Sequence, residues 1–498
     1  MTTQINKDIS VKSVWYYRFA EILVPTLVWA TITMPLWLSP FRPALASYLI
    51  LAYFVYFLYK SLKTIYFATV SFQLMKRAER TDWKKMIQSL KGKNHITHFF
   101  IIVTYKEPLE KLEHTIQAIV DQHYDSSKVN IILAMEAREG EAALEKSTKL
   151  HKKFNKLVSG FYTTHHVLTE GEVIGKASNA TYAAKFLSAE ARRLDLNPEE
   201  VIITVCDADS LLPPDYAAYV TYKFLIDDDR KYRFFSAPVL LYNNFWKLPL
   251  PIRVQTMLSS VARFAYLSQN EDLIQISTYT TNLWLLESVG YWDTDIIPED
   301  WHIWLQAFFT LGEKVKTIPI YMPIVRDGVL STSLIKSFQS RYSQEKRWAW
   351  GASDIPYAIV RFFNSPHIST MAKLKRILFV TEVHFLWPTS FFILAISASI
   401  PSLVNPVFGR TVLGYLLPKL SSFILTASSV SLIVIVFFDH KLRERVKIKT
   451  NLKNMPLLLI QWYFLPIISF VFSSLPALEA HTRMLLGKKL EYKVTEKL

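Results

Sequence analysis

The chain has 498 residues, 51% of them hydrophobic and 14% aromatic, and a net charge of +15 from 57 Lys and Arg against 42 Asp and Glu. Its single cysteine, Cys206, excludes an internal disulfide, and the sequence has no Cys/His cluster of the kind that binds zinc. The basic runs KSLKTIYFATVSFQLMKRAERTDWKK and DHKLRERVKIKTNLKNM adjoin long apolar segments, which points to a membrane edge and away from nucleic acid.

Apolar stretches at 17–37 and 46–68 each have the ~20 residues needed to cross a bilayer. The first is too long, and too soon followed by the second, to be a cleaved signal peptide. The loop between them holds only Arg42, and the flank after the second is strongly basic. Residues 1–75 therefore read as an N-terminal membrane region of two spans, with the N-terminus and everything from about Lys76 onward in the cytoplasm.

Residues 76–330 read as a cytoplasmic domain. Strand-like runs alternate with helical ones: THFFIIVTY, a helix around LEKLEHTIQAIVDQ, VNIILAM, a helix around GEAALEKSTKLHKKF, HHVLT, a helix around KASNATYAAKFLSAEARRL, then VIITVCDAD. That alternation implies an α/β fold with a parallel sheet covered on both faces. Ligands on such sheets bind at the carboxyl ends of the strands. Asp207 and Asp209 stand at such an end, where unpaired charge is expensive. Paired carboxylates there suit Mg²⁺ or Mn²⁺, which leave positions open for phosphate oxygens. Asp-x-Asp recurs at 227–229 and 293–295, where it reads as solvated loop or helix-start charge.

Further along, IIPEDWHIWLQ places Glu299 and Asp300 after Pro298 and before an aromatic helix. Acids favour a first helical turn, and an Asp beside a pocket can also act as a general base. In QEKRWAWG, Gln344, Arg347 and Trp348 fall on one helix face. Arg can fork onto phosphate, and Trp offers a flat face to a sugar ring or a place at the lipid interface. Residues 331–376, and 245–267 before them, are basic, aromatic and mixed in polarity, and read as helices on the bilayer surface; 245–267 reads equally well as a packing helix. A C-terminal membrane region, 377–453, holds apolar stretches at 377–404 and 418–438. Residues 454–498 begin with an apolar segment interrupted by Pro466 and Pro476, expected either to lie in the interface or re-enter, or to form a fifth span.

These motifs, in this order and between such spans, resemble the membrane-embedded family 2 glycosyltransferases, of which cellulose synthase and hyaluronan synthase are the best known. The resemblance implies a GT-A-type, Rossmann-like catalytic domain with a cytosolic active site in the cell (plasma) membrane. It implies metal binding by Asp207 and Asp209, Asp300 as the general base, and Gln344, Arg347 and Trp348 as the acceptor and diphosphate motif. VTYKEP looks like the nucleotide-contacting strand end, with Thr104, Tyr105 and Glu107 as donor-binding candidates alongside Asp207. GKASNA looks like the Lys-Ala-Gly-Asn loop and gives Lys176 a donor role. Tyr492, Val494, Thr495 and Lys497 of YKVTEK resemble the gating loop of cellulose synthases, which keeps the tail cytoplasmic. The sequence departs from the family at MEAREG, where Glu136 replaces an Asp and no Asp-Asp-Gly is present, and at STYTTNLW, where the family has a Cys-containing stretch.

The implied activity is inverting, metal-dependent transfer from a nucleotide-sugar, with a UDP-sugar favoured, to a growing glycan. Transfer of one sugar to a lipid-linked acceptor is the alternative. A transporter with a regulatory domain is a third reading, though no internal repeat is visible and only Glu382 and His384 form a polar pair in the later spans.

Overall fold

The computed structural model describes residues 11–269, 273–448 and 455–490. Among the described residues nine strands form: β1 Thr97–Thr104, β2 Val129–Glu136, β3 Gly160–His166, β4 Val201–Asp207, β5 Arg233–Ser236, β6 Val239–Leu240, β7 Tyr279–Asn282, β8 Lys316–Pro319 and β9 Ile324–Val325. Alternate residues of the central strands point into two separate cores. Phe100, Ile102, Ile131, Leu133 and Ile202 join one, and Phe99, Ile101, Ile132, Ile203 and Val205 the other. A strand buried on both faces needs apolar residues at every position, which is why these runs are continuous.

The main sheet has the order β3-β2-β1-β4-β7-β5-β8. β3, β2, β1 and β4 are parallel, as the alternation of elements implies. The fully parallel expectation fails beyond β4, because β7 runs antiparallel to both β4 and β5. Its four residues, Tyr-Thr-Thr-Asn, look polar but are buried, with Thr280 Oγ1 2.8 Å from Thr204 Oγ1 and 2.9 Å from the Tyr216 hydroxyl. β3 also lies earlier than the expected HHVLT. It pairs from Asn130↔Gly160 to Glu136↔His166, and Val167 is exposed. An antiparallel β7 starts where β4 ends, so Ser277 reaches the same rim as Asp207.

Helices Trp15–Leu38, Pro43–Arg80, Thr370–Val404, Val412–Arg445 and Pro456–Leu485 are long and apolar enough to cross a membrane, by length and composition. They flank the α/β domain at both ends. The last is broken where the prolines stand. A 3-10 turn Gln461–Phe464 precedes Pro466 and a π turn Phe470–Ser474 precedes Pro476, each proline then sitting in the first turn of the next piece. Proline lacks the N–H that an interior position would donate, so a first turn accommodates it without loss. Arg445 pairs with Glu79 at 2.8 Å, while Arg18 donates to the Met484 and Leu485 carbonyls at 2.8 and 2.7 Å. The end of the helix Val412–Arg445 thus lies beside the end of Pro43–Arg80, and the end of the broken segment beside the start of the first helix.

The helix Leu250–Tyr266 does not lie free on a surface. Ile252, Val254, Met257, Val261 and Phe264 are buried, and it is a packing helix. Its apolar positions face both the domain and the helix Pro43–Arg80, so burial decides against the bilayer-surface reading.

Candidate active site

A cavity of about 880 Å³ opens at the carboxyl ends of β1, β2 and β4. Thr104, Tyr105, Glu107, Glu136 and Lys176 line one side, and Asp207, Asp209 and Asp300 the centre. Gln344, Arg347 and Trp348 close the other side. The structure therefore gathers these expected residues around one space. Tyr492, Val494, Thr495 and Lys497 lie outside the described residues.

Each side chain is placed by a strand end or a helix start. At the tip of β1, Glu107 Oε2 accepts from Thr104 Oγ1 at 2.7 Å and from the Tyr105 N–H at 2.6 Å, and Lys106 takes the left-handed conformation at φ 65°. Burial raises the Glu107 carboxyl, although these hydrogen bonds hold it back. Glu107 thus shapes the turn through its Oε2 and lines the cavity. Glu136 receives Arg138 Nε at 2.8 Å, and Arg138 lies 4.4 Å from the centre of the Tyr105 ring. The three form one wall.

Lys176 begins the helix Lys176–Arg193. Its ammonium is 3.0 Å from Asp207 Oδ1 and 3.1 Å from Glu299 Oε1, and donates to the Ser277 carbonyl at 2.5 Å. Burial works against its charge, but Asp207 and Glu299 outweigh burial and raise it above the ordinary lysine value. Glu299 and Asp300 open the helix Glu299–Leu311, as the helix-start reading expects, and both line the cavity. Asp300 Oδ2 accepts from the Ser277 N–H at 2.8 Å and Oδ1 from the Trp301 N–H at 3.0 Å. Burial raises its carboxyl above the usual range, with Lys176 and the two N–H donors opposing.

A base must be deprotonated to act. With Asp300 in the expected role of base, activity should fall as pH drops through this raised value, with an acid limb above the ordinary Asp value of about 3.9. In Lys176→Met the cation favouring the carboxylate is gone and the limb should move to still higher pH. A pH profile of kcat checks both. An unmoved or lowered limb in the variant contradicts the coupling.

The structure also reveals residues that sequence reasoning missed. Arg326 follows β9 and stands between the two aspartates. It pairs with Asp207 Oδ2, and its Nε is 3.0 Å from Asp209 Oδ1. Ser277 Oγ donates to Asp207 Oδ2 at 2.7 Å. Arg341, only 1% exposed, donates to Gln255 Oε1 and Gln344 Oε1 at 2.7 Å each and pairs with Glu345. Gln344 is thus held from behind. Trp348 is flanked by Arg263 and Arg341, 5.0 and 5.1 Å from its ring centre. Burial, with Arg326 and Arg341 nearby, lowers the Arg263 guanidinium to about 10.

The solvated reading of Asp293 and Asp295 is corrected. Asp295 is buried, and Asp293 accepts from His302 Nε2 at 2.9 Å while Asp354 faces His302 Nδ1 at 2.7 Å. Burial opposes charge on His302, but Asp354 and Asp293 overcome it and raise the imidazole to about 10. This pair of carboxylates pins the helix that presents Asp300. Asp227 and Asp229 keep their loop role, with Asp227 Oδ2 2.7 Å from Arg233 Nε and Asp229 Oδ1 3.0 Å from Lys314.

Among the described residues no group of three or more His, Cys, Asp or Glu side chains is placed to hold a metal. The protein offers two carboxylates, Asp207 and Asp209. That donor set fits Mg²⁺ or Mn²⁺, which bind through one or two carboxylates and complete their shell with water and phosphate oxygens. Away from the strand ends, the cavity continues past Tyr266 and Phe379 to Val383, His384 and Trp387, and to Lys60 on the helix Pro43–Arg80. Lys60 pairs there with Glu382 at 2.5 Å, a contact between helices.

A model of the glycosyl transferase family group 2 matches residues 202–438, a stretch that includes Asp207, Asp209, Asp300 and the Gln344–Trp348 helix. The match begins at β4 and likens that part of the α/β domain and the helices after it to a glycosyltransferase, and the expected Rossmann-like α/β domain between apolar helices is the one observed. No curated protein matches the chain. Among solved structures, the mannosyltransferase PcManGT from Pyrobaculum calidifontis, in complex with GDP-Man and Mn2+, is 14% identical. It covers 78% of this chain and 98% of its own, with a TM-score of 0.44. S. aureus TarS 1-349 in complex with UDP-GlcNAc is 12% identical over 80% of this chain and 95% of its own, with a TM-score of 0.33.

Proposed function

We propose that the chain transfers a sugar, with inversion, from a nucleotide-sugar to a growing glycan at the cytoplasmic face of the membrane. The observation that carries this is Asp300. It is a carboxylate fixed by two backbone N–H groups, raised by burial, and facing the same cavity as Lys176, Asp207 and Arg347. A proton acceptor and a cluster of cations around one space suit attack by a hydroxyl on a carbon whose leaving group is a diphosphate.

The acceptor hydroxyl gives its proton to Asp300 as its oxygen bonds to the anomeric carbon. The bond from that carbon to the diphosphate oxygen breaks on the opposite side, and the nucleoside diphosphate leaves. A single in-line displacement inverts the centre. Arg347 and Lys176 stabilise the charge that develops on the leaving group, and Asp207 and Asp209 would hold a Mg²⁺ or Mn²⁺ ion. When bound, that ion supplies further neutralisation of the diphosphate. Thr104, Tyr105 and Glu136 lie where a nucleoside would sit, and a UDP-sugar is the expected donor.

The test is to incubate purified protein with UDP- and GDP-sugars plus Mn²⁺ or Mg²⁺ and measure released nucleotide. Release from one donor, dependent on Asp300, is expected; no release from any donor contradicts the reading. The continuation of the cavity to Lys60 and Trp387, between apolar helices, also suits a lipid-linked acceptor. Product length from radiolabelled donor separates a polymer from a single addition.

The pairing of Arg445 with Glu79 and of Arg18 with Leu485 favours a re-entrant segment over a fifth span, in the plasma membrane with both ends cytoplasmic. A C-terminal tag should then be digested by protease in inside-out vesicles and protected in right-side-out ones. The reverse pattern indicates a fifth crossing.

A further inference from the structure

The cation position between Asp207 and Asp209 is already filled by the protein itself. Arg326 reaches both carboxylates and pairs as well with Ser277, while its side chain is 11% exposed. Its backbone is fixed to the same loop that carries the aspartates. Leu211 N donates to the Val325 carbonyl at 2.9 Å, Val325 N returns to Leu211 at 3.1 Å, and Arg326 N donates to Leu240 at 2.8 Å. The next residue completes the arrangement, for the Asp327 N–H donates to Asp209 Oδ2 at 3.2 Å and its carboxylate is 2.6 Å from Lys111. Asp207 and Asp209 thus present to an arriving ion oxygens that a buried, bidentate guanidinium occupies.

We infer that Arg326 is a resident counter-ion that competes with the divalent metal for Asp207 and Asp209, so that the metal enters only together with the donor nucleotide. Asp207 already meets Lys176 as well as Arg326, and a divalent ion added to the same carboxylates at contact distance meets strong repulsion from both. A metal ion alone must break the Arg326 contacts with both aspartates and leave the buried guanidinium without those carboxylates, which is costly. A diphosphate changes that balance. It offers Arg326, which lines the cavity, a new anionic partner suited to a planar fork, and it frees the aspartate oxygens. Empty of donor, the site stays neutralised without a metal.

This assignment rests on the metal-assisted reading above, and the experiment separates their failures. Mn²⁺ binding to the purified full chain is followed by loss of the free-ion electron paramagnetic resonance signal, without nucleotide and with UDP or GDP. Wild type should bind Mn²⁺ weakly alone and at least about tenfold more tightly with the matching nucleotide. Arg326→Gln should bind Mn²⁺ without nucleotide about tenfold more tightly than wild type, since the competing charge is gone. It should also gain thermal stability on adding Mn²⁺ alone. Arg326→Lys, which keeps the charge but not the fork, should fall between and serves if the glutamine variant does not fold. Wild type that binds Mn²⁺ alone as tightly as it does with UDP or GDP overturns the assignment while leaving a metal site intact. Absence of Mn²⁺ binding in every protein, with or without nucleotide, sinks the metal reading and this assignment together.

Discussion

Asp300→Asn should lower sugar transfer by about 10²–10⁴-fold while leaving nucleotide binding nearly unchanged. Asn has the shape of Asp but takes no proton at neutral pH. Its single amide oxygen can serve only one of the two N–H donors, Ser277 or Trp301, so a modest loss of stability accompanies the change. The nucleotide contacts proposed for Thr104, Tyr105 and Lys176 lie elsewhere on the wall and persist. Loss of a transition-state interaction with binding retained appears as a fall in kcat, and titration of nucleotide binding beside single-turnover kinetics distinguishes the two. A variant that turns over at a near-wild-type rate removes Asp300 from the role of base.

Arg341→Met should be the most damaging single change to stability, by about 3–5 kcal/mol. Arg341 holds Gln255, Gln344 and Glu345 at once from a fully buried position. Burial raises the Glu345 carboxyl, and Arg341 is the main force opposing that rise. Without Arg341 a buried carboxylate loses its partner, and Gln344 and Trp348 lose their support at the cavity wall. Thermal denaturation in detergent should fall by about 5 °C or more, and activity should fall with it. Changing Glu345→Leu in the same protein removes the stranded charge and should recover much of the loss. A single variant that melts with wild type would show that the cluster contributes no stability.

β1, β2, β4 and most of the residues around the cavity were readable in the sequence for one physical reason, whereas β3, half-buried and rich in Thr and His, lies earlier than the sequence suggests. Strands buried on both faces are apolar throughout, and the first charge that interrupts them marks the strand end, as Asp207 does after Val205 and Cys206. β7 was not readable, because its threonines satisfy one another across the sheet and a buried polar strand has no signature in composition. Arg326 was not readable either. In VRDG it looks like turn charge, and its partnership with Asp209 exists only because β9 pairs with β6 and bridges to Leu211. Asp293 misled for the same reason, its partner His302 lying one helical segment away. Gln344 lines the cavity beside Arg347 and Trp348, and what the sequence did not show is that its Oε1 accepts from Arg341.

The most direct measurement is an electron cryo-microscopy structure of the full chain with its donor nucleotide-sugar bound to Asp300→Asn. The diphosphate should lie against Arg347, Lys176 and the Asp207–Asp209 loop, with the anomeric carbon turned toward residue 300 and an open path past Trp387 on its far side. A nucleotide bound outside this cavity, or a sugar pointing away from residue 300, would contradict the account.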